Sequence, residues 1–318
     1  MTTVTMEWES RLGRRLRIRD LYILSTVVKS GSMAKAAREL AMSQPAVSEA
    51  IGNLEALLHV RLLDRSPQGI KPTIYADAVL KRTATVFDEL KQTVRDVESL
   101  ADPTKGEVKI GCPDSIVSTV LPLIIERFCK KYPNMVIQVS NVPTPAIDDP
   151  GLRDRKYDLI LARLLTPPAG IPDDLNAEVL FDDPVVIAAG KGTRWARARK
   201  IRLADLADEP WMLSSPGTWN YERVAEAFRA EGLAMPNIRV MTYSTSLVSY
   251  FLSRGLFITA YSRSVVRFNS LKELPIALPA RPWPVATVTL KDRTLSPAVG
   301  RFVGCAREVA KIVVRSGD

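Results

Sequence analysis

Residues 36–48 read AARELAMSQPAVS, and this stretch decides the fold of the N-terminal region. The apolar spacing at its start predicts a short helix over residues 33–40. Ser43 is a suitable N-cap for a second helix, which tolerates Pro45 in its first turn and continues to about residue 58. Two helices joined by such a short turn form a helix-turn-helix.

The segment after this motif predicts a β-ribbon wing and then one long helix. Two short apolar pieces flank the Pro-Gln-Gly turn at residues 67–69. Residues 74–101 follow helical spacing without interruption, over roughly 40 Å. A small winged domain cannot bury so long an apolar stripe, so we predict that it pairs with the same helix of a second chain. Packing on the chain's own body is the alternative. The stripe consists of Leu80, Phe87, Leu90, Val94, Val97 and Ala101.

Beyond residue 105, predicted strands alternate with predicted helices. This alternation indicates an α/β architecture with parallel sheet. Two chain crossings, near residues 180 and 282, divide it into two lobes. The predicted strands are 107–110, 135–139, 159–162, 185–189, 211–213, 238–241, 256–260 and 286–290. The predicted helices are 117–132, 221–231, 246–254 and 297–314.

The composition argues against several classes of protein. The chain has 318 residues, a net charge of +9, three widely spaced cysteines and a single histidine, His59. One histidine and no Cys-x-x-Cys pair argue against a zinc site. A Ser-His-Asp or Cys-His mechanism would have to use this histidine, which we interpret as a residue at the end of the second helix of the helix-turn-helix. We therefore expect no metal, no cofactor and no enzymatic activity. The carboxylate pair Asp148 and Asp149 is the best enzymatic alternative, and solvated loop charge explains it better.

The hydrophobic pattern lacks a run long enough to cross a bilayer and lacks a signal peptide. We therefore expect a cytoplasmic protein with no membrane partner. Two alternatives stay in view, a solute-binding protein and an architectural DNA-binding protein. The helix-turn-helix argues against the first, and the large second half of the chain argues against the second.

The same residues carry a family resemblance. The runs at residues 36–40 and 43–48, with Leu62-Leu-Asp-Arg65 and Pro72-Thr73, resemble LysR-type transcriptional regulators. The similarity is dense over residues 19–82. Beyond residue 105 the similarity lies in the order of the predicted elements, which implies a two-lobed fold similar to periplasmic binding proteins with an effector cleft between the lobes. The resemblance implies a bacterial, sequence-specific DNA-binding regulator modulated by a small molecule.

The resemblance also implies a domain organisation and partners. The expected domains are an N-terminal extension over 1–18, a winged helix-turn-helix over 19–75, a linker and dimerisation helix over 76–102, and an effector-binding domain over 105–318. Within the last, lobe I comprises about 105–180 and 283–318, and lobe II about 181–282. We expect a homodimer or homotetramer on double-stranded DNA with an inverted-repeat operator, and RNA polymerase as a partner if the protein is an activator.

DNA contacts are expected of two kinds, to bases and to phosphates. Glutamine can grip adenine through two hydrogen bonds, and proline can touch a thymine methyl. Glu49 follows Ser48 where the family often has a basic or neutral polar residue, so the operator details stay open. Ser43 is alternatively only a cap, and each basic side chain is alternatively solvated surface charge. Base contacts are assigned to Ser43, Gln44, Pro45, Ser48, Glu49 and Asn53, and phosphate contacts to Arg19, Arg65 and Lys71.

Effector contacts are expected at the carboxyl ends of strands and at helix N-termini. Ser115 and the N–H groups beside it can hold a carboxylate or a hydroxyl, or serve as a helix cap. Arg163 can pair with an anionic effector or form an interlobe salt bridge, and Trp219 can stack on a ring or simply pack. Asp114 would repel an acid, which leaves a neutral or polyhydroxylated effector open. The candidates are Asp114, Ser115, Thr144, Arg163, Ser215, Trp219, Asn220, Thr245 and Ser246.

Overall fold

The computed structural model describes residues 15–66, 69–102, 104–164, 170–278 and 283–315. Its contacts divide the chain into two units, Met1–Thr93 and Val94–Asp318. The turn of the predicted wing at residues 67 and 68, and most of the predicted N-terminal extension, lie outside the described residues.

The first unit has the predicted winged helix-turn-helix. Its helices are α1 Ile18–Ser30, α2 Met33–Glu39 and α3 Gln44–Leu58, and its wing pairs β1 Leu63–Ser66 with β2 Gly69–Pro72 in antiparallel register. Gly31 ends α1 with a φ of +63°, in the left-handed region that glycine adopts without strain. The Ser43 hydroxyl accepts a hydrogen bond from the Ala46 N–H at 3.3 Å, which confirms its role as the cap of α3.

Helix α4, Ile74–Ala101, has the predicted bounds. The start of the apolar stripe, Leu80 and Phe87, packs against the core of the first unit, whereas the rest of the stripe is uncovered in the single chain. Leu90 is 42% exposed, Val94 57% and Val97 61%, and Leu100 next to the stripe is 82% exposed. Since a folded chain seldom leaves such a row of large apolar side chains in water, the stripe is a candidate protein–protein contact.

The second unit contains the following elements in chain order. The strands are β3 Gly106–Cys112, β4 Met135–Asn141, β5 Leu159–Arg163, β6 Leu175–Asp182, β7 Val185–Ala189, β8 Trp211–Leu213, β9 Ile238–Met241, β10 Ile258–Ser262, β11 Lys272–Glu273 and β12 Pro284–Leu290. The helices are α5 Asp114–Val117, α6 Val120–Lys131, α7 Arg194–Arg197, α8 Trp219–Ala230, α9 Thr245–Ser253, α10 Arg263–Phe268 and α11 Pro297–Arg315, with 3-10 helices at Ala146–Asp148 and Leu203–Leu206.

These strands form two five-stranded sheets, each with helices packed on it. Lobe I is built on the order β4-β3-β5-β12-β6, and lobe II on β11-β7-β10-β8-β9. The chain crosses from lobe I to lobe II between β6 and β7 and returns before β12. Lobe I buries Phe128 of α6 and Phe302 of α11 with the β3 side chains, and lobe II buries Trp211 and Phe228. Each such side chain stabilises the fold by roughly 1.5–3 kcal/mol.

Both sheets are mixed, which corrects the predicted parallel arrangement. In lobe I, β3 runs parallel to β4 and β5, whereas β12 is antiparallel to β5 and β6. In lobe II, β10 is parallel to β8 and antiparallel to β7. The sequence pattern reports strand–helix alternation but carries no information on the direction in which a distant strand inserts.

Several further elements differ from the prediction, since β6, β11, α7 and α10 are not predicted from the sequence and one predicted helix has other bounds. Strand β6 was missed because it lies at the sheet edge and its buried and exposed positions do not alternate cleanly. The helix predicted over residues 117–132 begins only at Val120, as α6, and the one-turn helix α5 precedes it; Thr119, with a non-helical ψ of −87°, separates the two. The Ser118 hydroxyl donates to the Asp114 carbonyl at 2.8 Å and the Thr119 hydroxyl to the Ser115 carbonyl at 2.7 Å. These side-chain bonds end α5 after one turn.

No helix in the part of the chain that the structure describes is long and apolar enough to span a membrane.

Candidate functional site

Helix α3 presents one solvent-facing side in the first unit. Its opposite side carries Val47, Ile51 and Leu54, all buried against α1 and α2. This packing fixes the rotation of α3, because the side chains on either side of the buried ones must then face outward. The predicted base-contacting residues Gln44, Pro45, Glu49 and Asn53 are exposed, Ser48 is half-buried, and Ser43 is exposed at the cap.

A basic groove runs along one side of α3. It has a volume of about 570 Å³, and Arg15, Arg17 and Arg19 outnumber the two carboxylates, Asp20 and Glu49, in its lining. The structure thus places Arg19 beside the predicted base-contacting residues. Arg15 and Arg17 also line the groove, although the sequence predicts no DNA contact for them.

The wing carries the other two predicted phosphate-contacting residues. Arg65 of β1 and Lys71 of β2 are both exposed. Lys71 lies opposite Asp64 in the β1–β2 register, so part of its charge is offset within the wing. Exposed cations on both the wing and the α1 side suit the negatively charged backbone of a duplex.

A cleft of about 410 Å³ opens between the two lobes of the second unit. It lies at the carboxyl ends of β3, β4, β8 and β9, the position at which α/β folds place ligands. Its lining residues are Asp114, Ser115, Asn141, Val142, Pro143 and Thr144 from lobe I and Trp219, Asn220, Tyr243 and Tyr261 from lobe II.

Five of the nine predicted effector contacts line this cleft. They are Asp114, Ser115, Thr144, Trp219 and Asn220. Thr245 meets the cleft through its backbone, since its N–H donates to the Asp114 carboxylate at 2.8 Å. Ser215 and Ser246 are exposed and lie outside the cleft lining.

Arg163 does not line the cleft, and its surroundings favour the interlobe salt bridge over an effector contact. Its side chain is 1% exposed, and its Nη2 lies 2.6 Å from the Asp183 carboxylate, at the crossing between the lobes. The same Nη2 donates to the Ser262 hydroxyl at 3.0 Å. A buried cation with these partners holds β5 of lobe I to β10 of lobe II.

Asn220 is held mainly by its own lobe. Its side-chain oxygen accepts hydrogen bonds from the Ser214 hydroxyl and, at 3.1 Å, from the Tyr221 N–H. Its side-chain nitrogen donates to the Ala260 carbonyl at 3.3 Å. These bonds fix the start of α8 and therefore position Trp219 in the cleft.

Two tyrosines in the cleft were not identified from the sequence. Tyr261 lies within β10, a position that the sequence pattern does not distinguish from the core, and Tyr243 lies just after β9. The Tyr261 hydroxyl donates to the Tyr243 carbonyl at 3.2 Å, and its ring meets the Trp219 ring edge-on at 6.4 Å between centroids. Burial raises the pKa of Tyr261 above its usual value, so its hydroxyl stays protonated.

Three residues whose side chains could serve in catalysis, His59, Cys112 and Asp149, lie in surroundings typical of structural residues. His59 takes a left-handed conformation at the end of α3, which agrees with its interpretation as a helix-end residue. Burial raises the pKa of the Cys112 thiol, which keeps it protonated and a poor nucleophile. The Asp149 carboxylate accepts the Gly151 N–H at 2.8 Å within its own loop.

Comparison with known proteins covers almost the whole chain. The model described as "Bacterial regulatory helix-turn-helix protein, lysR family" matches residues 18–76, and the one described as "LysR substrate binding domain" matches residues 101–311. The chain is 24% identical over 314 residues to the HTH-type transcriptional regulator GbpR of Azospirillum brasilense, covering 96% of this chain and 90% of that protein. It is 25% identical over 276 residues to the HTH-type transcriptional regulator TdcA of Escherichia coli (strain K12), covering 84% and 86%.

Solved structures share the fold. Full-length CbnR in complex with its target DNA has a TM-score of 0.61 at 19% identity, covering 92% of this chain and 100% of that one. ArgP from Mycobacterium tuberculosis has a TM-score of 0.63 at 16% identity, covering 92% and 96%.

Proposed function

This chain is a member of the LysR family of transcriptional regulators, and we propose that it recognises an inverted-repeat operator with α3 and senses a small molecule in the interlobe cleft. Its family binds DNA through the helix-turn-helix and effectors through the second domain. The observation that carries the proposal is the exposed side of α3, which presents Gln44, Pro45 and Glu49 beside a basic groove.

We propose that this side of α3 enters the major groove. Gln44 stands in the first turn of α3, where a side chain reaches furthest toward base edges, and its amide can pair with adenine N6 and N7. Pro45, Ser48, Glu49 and Asn53 share the exposed side, and Ser43 adds its hydroxyl at the cap. Phosphate contacts fall to Arg19, Arg65 and Lys71, joined by Arg15 and Arg17 because these line the same groove.

Gln44→Ala is expected to keep the fold while losing operator preference. A bidentate contact to a base contributes about 1–3 kcal/mol of discrimination, whereas the exposed Gln44 side chain contributes little to the core of the first unit. DNase footprinting on the operator and on a scrambled duplex measures the difference. Gln138→Ala, which removes an exposed glutamine from β4, is the matched control. An operator footprint as tight as that of the wild type would refute the assignment of Gln44.

We propose that an effector binds among Asp114, Ser115, Thr144, Trp219 and Tyr261. Ligand contacts from both lobes alter the relative free energies of the lobe arrangements. If those arrangements place the DNA-binding units differently, the effector alters operator binding by the same coupling free energy. Thr245 participates by holding Asp114.

We further propose a homodimer or homotetramer, formed in part by the α4 stripe, because two-fold symmetry fits an inverted repeat. RNA polymerase would be a partner if the protein is an activator.

A regulator of this kind acts where the chromosome is, so we place it in the bacterial cytoplasm, and we propose that it catalyses no reaction of its own. The domain division over 1–18, 19–75, 76–102 and 105–318 remains part of this proposal.

A further inference from the structure

One carboxylate in the interlobe cleft, that of Asp114, already accepts a hydrogen bond from the opposite lobe. Asp114 begins α5 of lobe I, and its Oδ2 accepts the backbone N–H of Thr245, the first residue of α9 in lobe II, at 2.8 Å. Two residues further along α9, the Leu247 N–H donates to the Ser244 hydroxyl at 3.3 Å. The protein thus supplies its own anion to the N-terminus of a nine-residue helix.

This arrangement removes the obvious place for an acidic ligand. Free N–H groups and the positive end of the helix dipole make a helix N-terminus favourable for a carboxylate or phosphate. At α9 that position is filled by Asp114 from across the cleft. A second carboxylate would have to displace the first or lie beside it, and two like charges in a partly desolvated cleft repel strongly.

The rest of the lining offers no cation to offset this charge. Among the described residues that line the cleft, Asp114 alone carries a formal charge. The nearest buried guanidinium, that of Arg163, lies 5.7 Å from the centroid of the Trp219 ring and is paired with Asp183 at 2.6 Å. Asp183 lies outside the cleft lining and pairs only with the Arg163 Nη2, whereas the Arg163 Nε and Nη1 have no hydrogen-bond partner among the described residues.

The remaining lining groups suit a ligand with a flat apolar face and polar hydrogens. Trp219, Tyr243 and Tyr261 provide aromatic surface, which attracts both ring faces and cations. The carboxylate of Asp114 accepts hydrogen bonds from hydroxyl or ammonium groups, and Ser115 and Thr144 carry hydroxyls.

We propose that this cleft admits neutral and cationic effectors and excludes carboxylates, with Asp114 as the residue that sets the charge selection. The inference rests on the proposed function, in which the cleft is the effector site. Family membership does not require this selection, because it follows from one side chain of this chain and its bond to α9.

The test is a fragment screen built from matched sets of three compounds. Each set has one ring skeleton bearing an ammonium, a hydroxyl or a carboxylate group, such as glucosamine, glucose and glucuronate, or benzylamine, benzyl alcohol and benzoate. Binding to the full-length protein is measured by ligand-observed NMR. A compound counts as a cleft ligand only if Tyr243→Ala, which removes a half-exposed ring from the lining, weakens its binding.

We expect the carboxylate member of each set to bind at least about tenfold more weakly than the other two. Asp114→Asn keeps an acceptor for the Thr245 N–H but removes the charge. In this variant the affinities of the three members of a set should agree to within about threefold. Asp208→Asn, at an exposed carboxylate outside the cleft lining, should leave the difference unchanged.

Different results of this screen would contradict the charge selection, the role of Asp114 or the effector site itself. Carboxylates that bind the wild type as well as their neutral partners overturn the charge selection and leave the effector site standing. An unchanged preference in Asp114→Asn overturns the role of Asp114. If no compound of any charge depends on Tyr243, the proposed effector site itself is wrong, and the inference falls with it.

Discussion

Arg163→Met is expected to lower the free energy of unfolding of the second unit by about 3–5 kcal/mol, the usual cost of leaving one partner of a buried ion pair alone. Asp183 is 2% exposed, and its carboxylate faces the Arg163 Nη2 at 2.6 Å. The same carboxylate accepts the Ser264 N–H at 2.8 Å, so it cannot turn to solvent without uncapping α10. Without Arg163, this buried carboxylate loses its salt-bridge partner.

Denaturant unfolding followed by tryptophan fluorescence measures this loss. Arg307→Met is the matched control, because it breaks a pair with Glu178 in which the side chains are 55% and 43% exposed. Such a surface pair contributes only about 0–1 kcal/mol. Combining Arg163→Met with Asp183→Asn should recover part of the loss by removing the isolated charge. Equal unfolding midpoints for Arg163→Met and Arg307→Met would contradict a stabilising role for the interlobe pair.

Val94→Glu combined with Val97→Glu is expected to abolish self-association and thereby most operator affinity. Both valines are more than half exposed in the single chain, so the substitutions cost its fold little. In a helix pair they would bury four unpaired carboxylates, each costing several kcal/mol. Loss of the dimer also removes the gain from binding two half-sites together, a factor of about 10²–10⁴.

Analytical ultracentrifugation and operator titration together measure this effect. Thr85→Glu is the control, because Thr85 is exposed and lies nine residues before Val94, about 180° round the helix. It should sediment and bind like the wild type. If the double variant remains a dimer, the stripe on α4 is not the contact that joins two chains.

The local features of the DNA-binding unit could be predicted because local chemistry determines them. The cap at Ser43 and the apolar period of α4 each act within a few residues, and both are found in the structure. The direction of β12 and the existence of β6 depend on partners more than a hundred residues away, or on an edge position with little periodicity.

The cleft was predicted in part for a similar reason. Asp114 and Trp219 begin the helices that follow β3 and β8, so the rule that ligands lie at strand ends and helix N-termini finds them. Tyr261 stands inside a strand, and nothing in its neighbourhood separates a cleft-lining residue from a core residue. For Arg163 the sequence left two alternatives, and only the position of Asp183 at the crossing between lobes decides between them.

The most direct measurement of the central claim is the binding of the purified protein to fragments of its own genome at physiological salt. We expect a small number of sharp peaks centred on an inverted repeat, with half-sites spaced by whole helical turns, and we expect these peaks to weaken for Gln44→Ala. Diffuse binding along all fragments, lost uniformly as salt rises and indifferent to Gln44, would contradict sequence-specific regulation and indicate binding to the DNA backbone alone.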